Sequence, residues 1–404
     1  MSAGALPRPL EGVRILDLSR VFAGPVAGRT LADLGADVVK VEPPDGDVTR
    51  TWGRKVAGQS TYFVQQNAGK RNICVDLTHP DGAGLVADLA AVADIVIENF
   101  RPGVMARHGL DWESLRVRNP RLVMLSISGF GQVGPESQRA AYASIVHAEM
   151  GLIGRGVHLG GDGRQDVNFS AADVLSGLHG VIGVLAALRV RDATGVGQHV
   201  DLAMVDAMGF SDDFIAYNID DAIPQRINGE VWETSGGPIC IAGGMQWMWR
   251  QLKDAHGLED GAAPDADVAT KIRMRRARVE AFFMELPDGA AVRAALDAAN
   301  LAWGMVSDGH DVFNSPTLAA RGSLAHVDDR AGGKRAVFQS PYRFSAATSG
   351  VQGQASHRGE DNEEVLTDWL GASNDEAMHR AQSGAMKRDV HADQVTAGRP
   401  IGLG

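Results

Sequence analysis

Between residues 13 and 127 the chain alternates short β-branched, apolar runs with stretches of helical spacing, and this restricts the fold more than any other feature. Residues 13–18 form a strand pattern that ends in a loop at 19–24. Pro25 follows in the first turn of a helix, where its missing N–H costs nothing. That helix carries Leu31 and Leu34 and stops at Gly35, and Val38 to Val41 begin the next strand. Strand patterns recur at 72–75, 94–97 and 122–127, separated by helical spacing after Pro80 (Leu85, Leu89, Val92) and at 112–115. Strands spaced in this way need right-handed crossovers, which build a largely parallel sheet buried on both faces. The expected fold class is α/β, with ligands beyond the carboxyl ends of the strands.

Residues 171–191 read as one long helix. Val174, Leu178, Val181, Leu185 and Leu188 recur every three or four positions, and Gly177, Gly180 and Gly183 permit close packing. After a turn at 194–198, a further segment opens at His199. The composition then shifts. Residues 225–335 hold Gly-Gly pairs, tryptophans at 232, 247 and 249, and a basic helix from Lys271 to Arg278. The tail returns to helical spacing at 363–370. The expected division is a large domain over 1–220, a smaller domain over 225–335, and a return to the large domain over 336–404.

Apolar residues make up 44% of the 404 and charged residues 22%, the composition of a folded globular protein. Basic residues number 39 against 50 acidic, a net charge of −11, so neither nucleic acid nor an anionic membrane is an expected partner. Two cysteines, Cys74 and Cys240, exclude a disulfide framework and a multi-cysteine metal site, and no metal is expected. The first residues lack the apolar core of a signal peptide, and the longest near-apolar stretch, 181–188, is too short to cross a bilayer. These features describe a cytoplasmic enzyme.

The first strand-to-helix loop is not a dinucleotide fingerprint. Phe22-Ala23-Gly24-Pro25 places proline where the second glycine of G-x-G-x-x-G is needed, and no P-loop lysine follows. It remains a loop entering a helix N-terminus, either an ordinary βα turn or a seat for an anion. Glu98-Asn99-Phe100-Arg101-Pro102-Gly103 follows a strand and offers an amide, a stacking face and a cation together, as an adenine–ribose–phosphate ligand requires. Arg107 adds a second cation.

Several ordered motifs now stand together: Leu16-Asp17 with Ala23-Gly24-Pro25, residues 35–42, Lys70-Arg71, residues 93–103, Ser128-Gly129-Phe130-Gly131 with Gly134-Pro135, and residues 197–201. Together they resemble the class III CoA-transferase family, which includes formyl-CoA and crotonobetainyl-CoA:carnitine transferases and α-methylacyl-CoA racemases. The resemblance covers nearly the whole chain. It implies a Rossmann-like large domain built from both ends of the chain, a smaller α+β domain between, and two subunits threaded as interlocked rings. It implies coenzyme A as part of the substrate, with family contacts matched by Phe22, Ala23, Val75, Asn99, Phe100, Arg107, Ser128 and Gly129. Arg101 is the further cation of that loop. Where the family often has an arginine near the adenine, this chain has Pro43, so the nucleotide contacts are expected to be rearranged.

In such transferases one aspartate attacks the acyl-CoA thioester and carries CoA through an anhydride and an aspartyl-CoA thioester to an acceptor carboxylic acid. Anchoring on Gly134-Pro135 and Ala148 to Gly151 puts Ala143, which cannot be acylated, at that position. The racemase histidine position is Tyr142, and the second racemase acid matches Asp173. The remaining candidate catalytic groups are Asp173, Glu149 and His147, against the alternative that Asp173 is a helix-start acid and the other two are surface or capping residues. Gly236-Gly237 and Gly243-Gly244 are either a closing loop or turns, and the run Lys271, Arg273, Arg275, Arg276, Arg278 reads as a solvated face. The leading expectation is one subunit of a heteromeric CoA-transferase whose homologous partner supplies the nucleophile. The rivals are a catalytically silent CoA-binding subunit and an acyl-CoA isomerase, racemase or lyase using Asp173 or Glu149 as base.

Overall fold

The computed structural model describes residues 6–158, 165–219 and 229–389. Its central sheet has six parallel strands: β1 (Arg14–Asp17), β2 (Asp37–Glu42), β3 (Arg71–Cys74), β4 (Ile95–Glu98), β5 (Val123–Ser128) and β6 (Gln198–Ala203). Their order is β3-β2-β1-β4-β5-β6. The five strands expected from the alternation form, and the segment opening at His199 adds the sixth. Because the order reverses between β1 and β4, the loops leaving those two strands diverge and open a crevice at the carboxyl edge.

The connecting helices are α1 (Ala23–Asp33), α2 (Thr61–Asn67), α3 (Gly82–Val92), α4 (Trp112–Arg118), α5 (Ala143–Glu149) and α6 (Ala171–Thr194). Alternation of side chains along the strands divides the core between the two faces. Ile15, Ile97, Val123, Leu125 and Ile127 pack with Ala27 and Leu31 of α1 and Val181 and Val184 of α6. Leu16, Val39, Val96 and Met124 pack with Leu85 and Leu89 of α3 and Leu115 of α4. The same cluster takes in Val365, Leu366 and Trp369 of α7 (Asn362–Leu370), so the end of the chain completes this layer.

Among the described residues α6 is the one helix long and apolar enough, by length and composition, to cross a membrane. The sequence reading counted only its segment 181–188. Here its buried face lies on the sheet and on α1. A methyl group on Gly177 would stand 2.7 Å from the Ala23 carbonyl oxygen, so only glycine permits that approach.

Gly28 of α1 is equally constrained, because a methyl group there would sit 2.6 Å from Asp17 Oδ2 and 3.0 Å from Lys70 Nζ. Gly28→Ala is expected to wedge that buried ion pair apart and cost about 1–3 kcal/mol in urea unfolding. Gly84→Ala in α3, where nothing lies within 4 Å, is the control and should gain a few tenths to about 1 kcal/mol.

Two compact units form, one from 1–215 with 321–404 and the other from 216–320. The second is α+β. Strands Glu230–Trp232, Ile239–Ile241 and Trp303–Met305 pair antiparallel, with helices Met245–His256, Val268–Glu285 and Gly289–Ala298, around Trp232, Leu252, Phe283 and Leu296. The expected small domain ended at 335, but the division falls at 320. The hairpin Leu324–Asp328/Lys334–Phe338 belongs to the first unit, where Val327 and Val337 pack on Phe63, Val64 and Ala355. The expected start at 225 lies outside the described residues. The basic run is an ion-paired face: Arg275 meets Asp260, Arg276 meets Glu230 and Glu280, and Arg278 meets Glu285.

Candidate active site

The crevice between β1 and β4 is shaped by a loop whose backbone is held from several directions. Asp17 Oδ1 accepts from Ser19 N at 3.0 Å, and Lys40 Nζ donates to Ser19 O at 2.8 Å. Asn99, on the loop after β4, accepts from Arg20 N and donates to Arg20 O, both at 2.8 Å. Asp47 Oδ2 accepts from Val21 N at 3.1 Å. Val21 itself has φ of +68°, a conformation that a β-branched residue adopts only when its surroundings impose it. This turn delivers Phe22 and starts α1 at Ala23.

The loop after β4 is fixed from beneath by Glu98, which accepts from Phe100 N at 2.8 Å and from the Ser126 hydroxyl. Burial, with Asp201 nearby, pushes the Glu98 carboxyl up to about 7. Ser126 Oγ also meets His199 Nε2 at 2.9 Å, and the His199 ring stacks on Trp112.

A cavity of about 240 Å³ opens where these loops meet. It is lined by Phe22, Ala23, Asn99, Phe100, Arg101, Ser128 and Gly129, and also by Arg20, Arg139, Tyr142 and Asp173. Of the candidate acids, Asp173 alone reaches it. Asp173 stands in the first turn of α6, and the backbone N–H groups of Ala23 and Ala143, the first residues of α1 and α5, lie close enough to favour its charged form. Residues 150 positions apart in the chain thus converge on one carboxylate (173 minus 23). Burial outweighs those N–H groups and the nearby His147 and pushes its carboxyl up to about 6.

Ala143 therefore contributes a backbone donor rather than a side chain. His147 is fully buried: its Nδ1 meets Asp166 at 2.8 Å and its Nε2 accepts from Ala172 N at 3.1 Å. It positions the start of α6 and does not line the cavity. Glu149 is exposed, bound to Arg139 at 2.7 Å, and does not line the cavity.

A second cavity of about 480 Å³ shares Arg20 and Phe100 with the first and continues over Leu18, Pro43, Pro44, Val75 and His108. Val75 and Pro43 both form part of its wall. Arg107 lines neither cavity; it ends the helical turn Val104–Arg107 beside His108.

Tyr62, at the start of α2, was not singled out from sequence. Its hydroxyl is pushed up to about 12 by burial and by the carboxylates of Asp173 and Asp47, and its ring meets Phe22 at 5.8 Å and Trp52 at 5.1 Å. No spacing rule marks it, because it reaches the site only through the tertiary packing of α2. Among the described residues no three His, Cys, Asp or Glu side chains cluster as a metal site would.

The sheet has the strand order of a Rossmann-type fold, and the carboxylate and the two cavities that share Arg20 and Phe100 stand at its switch point. The chain belongs to CoA-transferase family III, which it matches over residues 10–362. It is 33% identical to the succinate–glutarate CoA-transferase of Agrobacterium fabrum, over 89% of this chain and 95% of that one. It is 30% identical to the succinyl-CoA–L-malate CoA-transferase β subunit of Chloroflexus aurantiacus, over 90% and 94%. Among solved structures, a CaiB/BaiF family protein from Brucella suis matches at a TM-score of 0.76 and 33% identity, over 90% of this chain and all of that one.

Proposed function

We propose that this chain transfers CoA from an acyl-CoA to a carboxylic acid, with Asp173 as its own nucleophile. The observation that carries the reading is the Asp173 carboxylate, set in the first cavity near the N–H groups of Ala23 and Ala143, with a second cavity of about 480 Å³ sharing Arg20 and Phe100 with it. The nucleotide end of CoA lies in the second cavity and the thioester in the first.

An Asp173 oxygen attacks the thioester carbon, the C–S bond breaks, and CoA thiolate leaves an acyl–aspartyl anhydride. The thiolate then attacks the aspartyl carbonyl, releasing the donor acid as carboxylate and leaving CoA on Asp173. The acceptor carboxylate reverses both steps. No net proton moves and no water is consumed. The N–H groups of Ala23 and Ala143 are placed to stabilise the oxyanion each time the aspartyl carbonyl becomes tetrahedral. The substrate class suggested by the named relatives is short dicarboxylic acids.

The test is the purified chain alone with succinyl-CoA and glutarate. Transfer, together with a hydroxylamine-sensitive CoA adduct on Asp173, supports the reading. A chain that acylates no acid of its own overturns it. Since the reaction needs ionised Asp173 and burial raises its pKa to about 6, kcat/KM should fall as pH drops through 6 and level off above 7. A rate flat from pH 5 to 8 contradicts that assignment.

The second reading, favoured by the relative named as a β subunit, is a heteromer whose partner supplies the nucleophile. It predicts activity only after mixing with a homologous chain. Either reading is cytoplasmic and carries an interlocked pair, two copies or one of each subunit. Exposed apolar side chains along α6 and the segment after β6, Ile182 at 62% and Phe210 at 85%, support such a cover.

A further inference from the structure

Three guanidinium groups line the cavity in front of Asp173, and their partners sort them into different tasks. Arg139 is held by Glu136 at 3.0 Å and Glu149 at 2.7 Å and lies over the Phe130 ring, so its charge is already matched. Arg20 also lines the second cavity, which places it on the nucleotide side. Arg101 lines the first cavity and not the second, and its guanidinium makes no ion pair or hydrogen bond among the described residues. Its backbone is set by the Glu98 contact to Phe100 N on one side and by Pro102 on the other. In the same cavity Ser128, only 7% exposed, has a buried Oγ with no partner. A buried hydroxyl without a partner needs one from outside the chain, and an uncommitted guanidinium lining the same cavity selects a carboxylate.

We infer that Arg101 and Ser128 bind the distal carboxylate of a dicarboxylic acyl group, so that the chain selects short α,ω-dicarboxylic substrates over monocarboxylic ones of equal length. This rests on Asp173 being the acylated residue. One carboxyl is then in reaction at Asp173, and the other lies at the side of the cavity away from the nucleotide. A charge-assisted hydrogen bond of this kind corresponds to about 10- to 100-fold in specificity.

The experiment follows formation of the covalent CoA adduct from succinyl-CoA and from butyryl-CoA, which has the same chain length without the second carboxyl. Arg101→Met should lower kcat/KM for succinyl-CoA about 10- to 100-fold and leave butyryl-CoA unchanged, with Arg101→Lys recovering part of the loss. Ser128→Ala should lower succinyl-CoA alone, by a smaller factor. An equal loss with both thioesters overturns the inference in favour of a nucleotide or structural role, and so does no loss with succinyl-CoA. Should the unaltered chain form no adduct from either thioester, the Asp173 reading is what fails. Calorimetric titration with glutarate against pentanoate then decides the role of Arg101. A glutarate preference lost in Arg101→Met sustains it, and no preference in the unaltered chain ends it.

Discussion

Asp173→Asn is expected to lower CoA transfer by about a thousandfold or more and, at pH 7, to raise the melting temperature. The first effect follows from chemistry: a carboxamide oxygen neither attacks a thioester at a useful rate nor carries CoA as a thioester afterwards. Asp173→Glu keeps the nucleophile but moves it by one methylene, and a misplacement of about 1 Å costs about a hundredfold. The second effect follows from the pKa. The folded-state value of about 6 lies above the ordinary carboxylate value, so the neutral form is the one folding favours. Ionising Asp173 costs nothing below about pH 4, costs progressively more as pH rises towards 6, and stays at its full cost above that. Asparagine keeps the shape without the charge and removes that cost. Rates by adduct-resolving mass spectrometry and melting curves at pH 4 and pH 7 check both. A stability gain equal at the two pH values breaks the link between charge and strain, and a transfer rate within tenfold of the original removes Asp173 from the chemistry.

The alternation of strands and helices was legible because a parallel sheet buried on both faces leaves continuous apolar runs, such as 122–127. The loops that carry Phe22, Ala23, Asn99 and Phe100 were legible for a related reason: they follow strand ends, where an α/β sheet places its ligands. The carboxylate's setting was not. Asp173 could be read as an acid at a helix start, but its contacts with Ala23 and Ala143 join three loops that no local spacing connects. Attention to position 143 therefore fell on its side chain, whereas its backbone N–H is the group that lies near Asp173. His147 shows the same limit from the other side. Its separation from Ala172 conceals that its ring accepts that residue's N–H and fixes the turn bearing Asp173. The boundary at 320 rather than 335 was hidden because the hairpin's partners, Phe63 and Val64, lie some 260 residues earlier in the chain (324 minus 63 gives 261).

The largest expected loss of stability comes from Asp17→Asn. Asp17 has no exposed surface, and its Oδ2 meets Lys70 Nζ, itself 3% exposed, at 2.9 Å. The remaining Lys70 hydrogens donate to Pro25 O and Asn67 Oδ1, both at 3.0 Å. Even with that partner, burial pulls the lysine down to about 8. Removing the carboxylate charge leaves an ammonium with neutral acceptors only, and breaking one side of a buried pair costs about 3–5 kcal/mol. The sign of the pH dependence identifies the cause. A lysine whose folded pKa is depressed costs stability below that pKa, and the cost fades as pH rises towards its ordinary value near 10.4. Without the carboxylate Lys70 gives up its proton at lower pH than in the unaltered chain, so the gap between Asp17→Asn and the unaltered chain should narrow as pH rises towards 8 and level off above it, leaving the part due to the weakened Ser19 contact. Adding Lys70→Met to Asp17→Asn should recover much of the loss, since an apolar chain of similar length suits the emptied charge site. The site should register the change as well, because Asp17 holds the loop that presents Ala23 N–H to Asp173. Urea unfolding of the two single variants and the double, at pH 7 and pH 9, closes the cycle. A gap that does not narrow with pH places the loss in the loop rather than in the stranded ammonium.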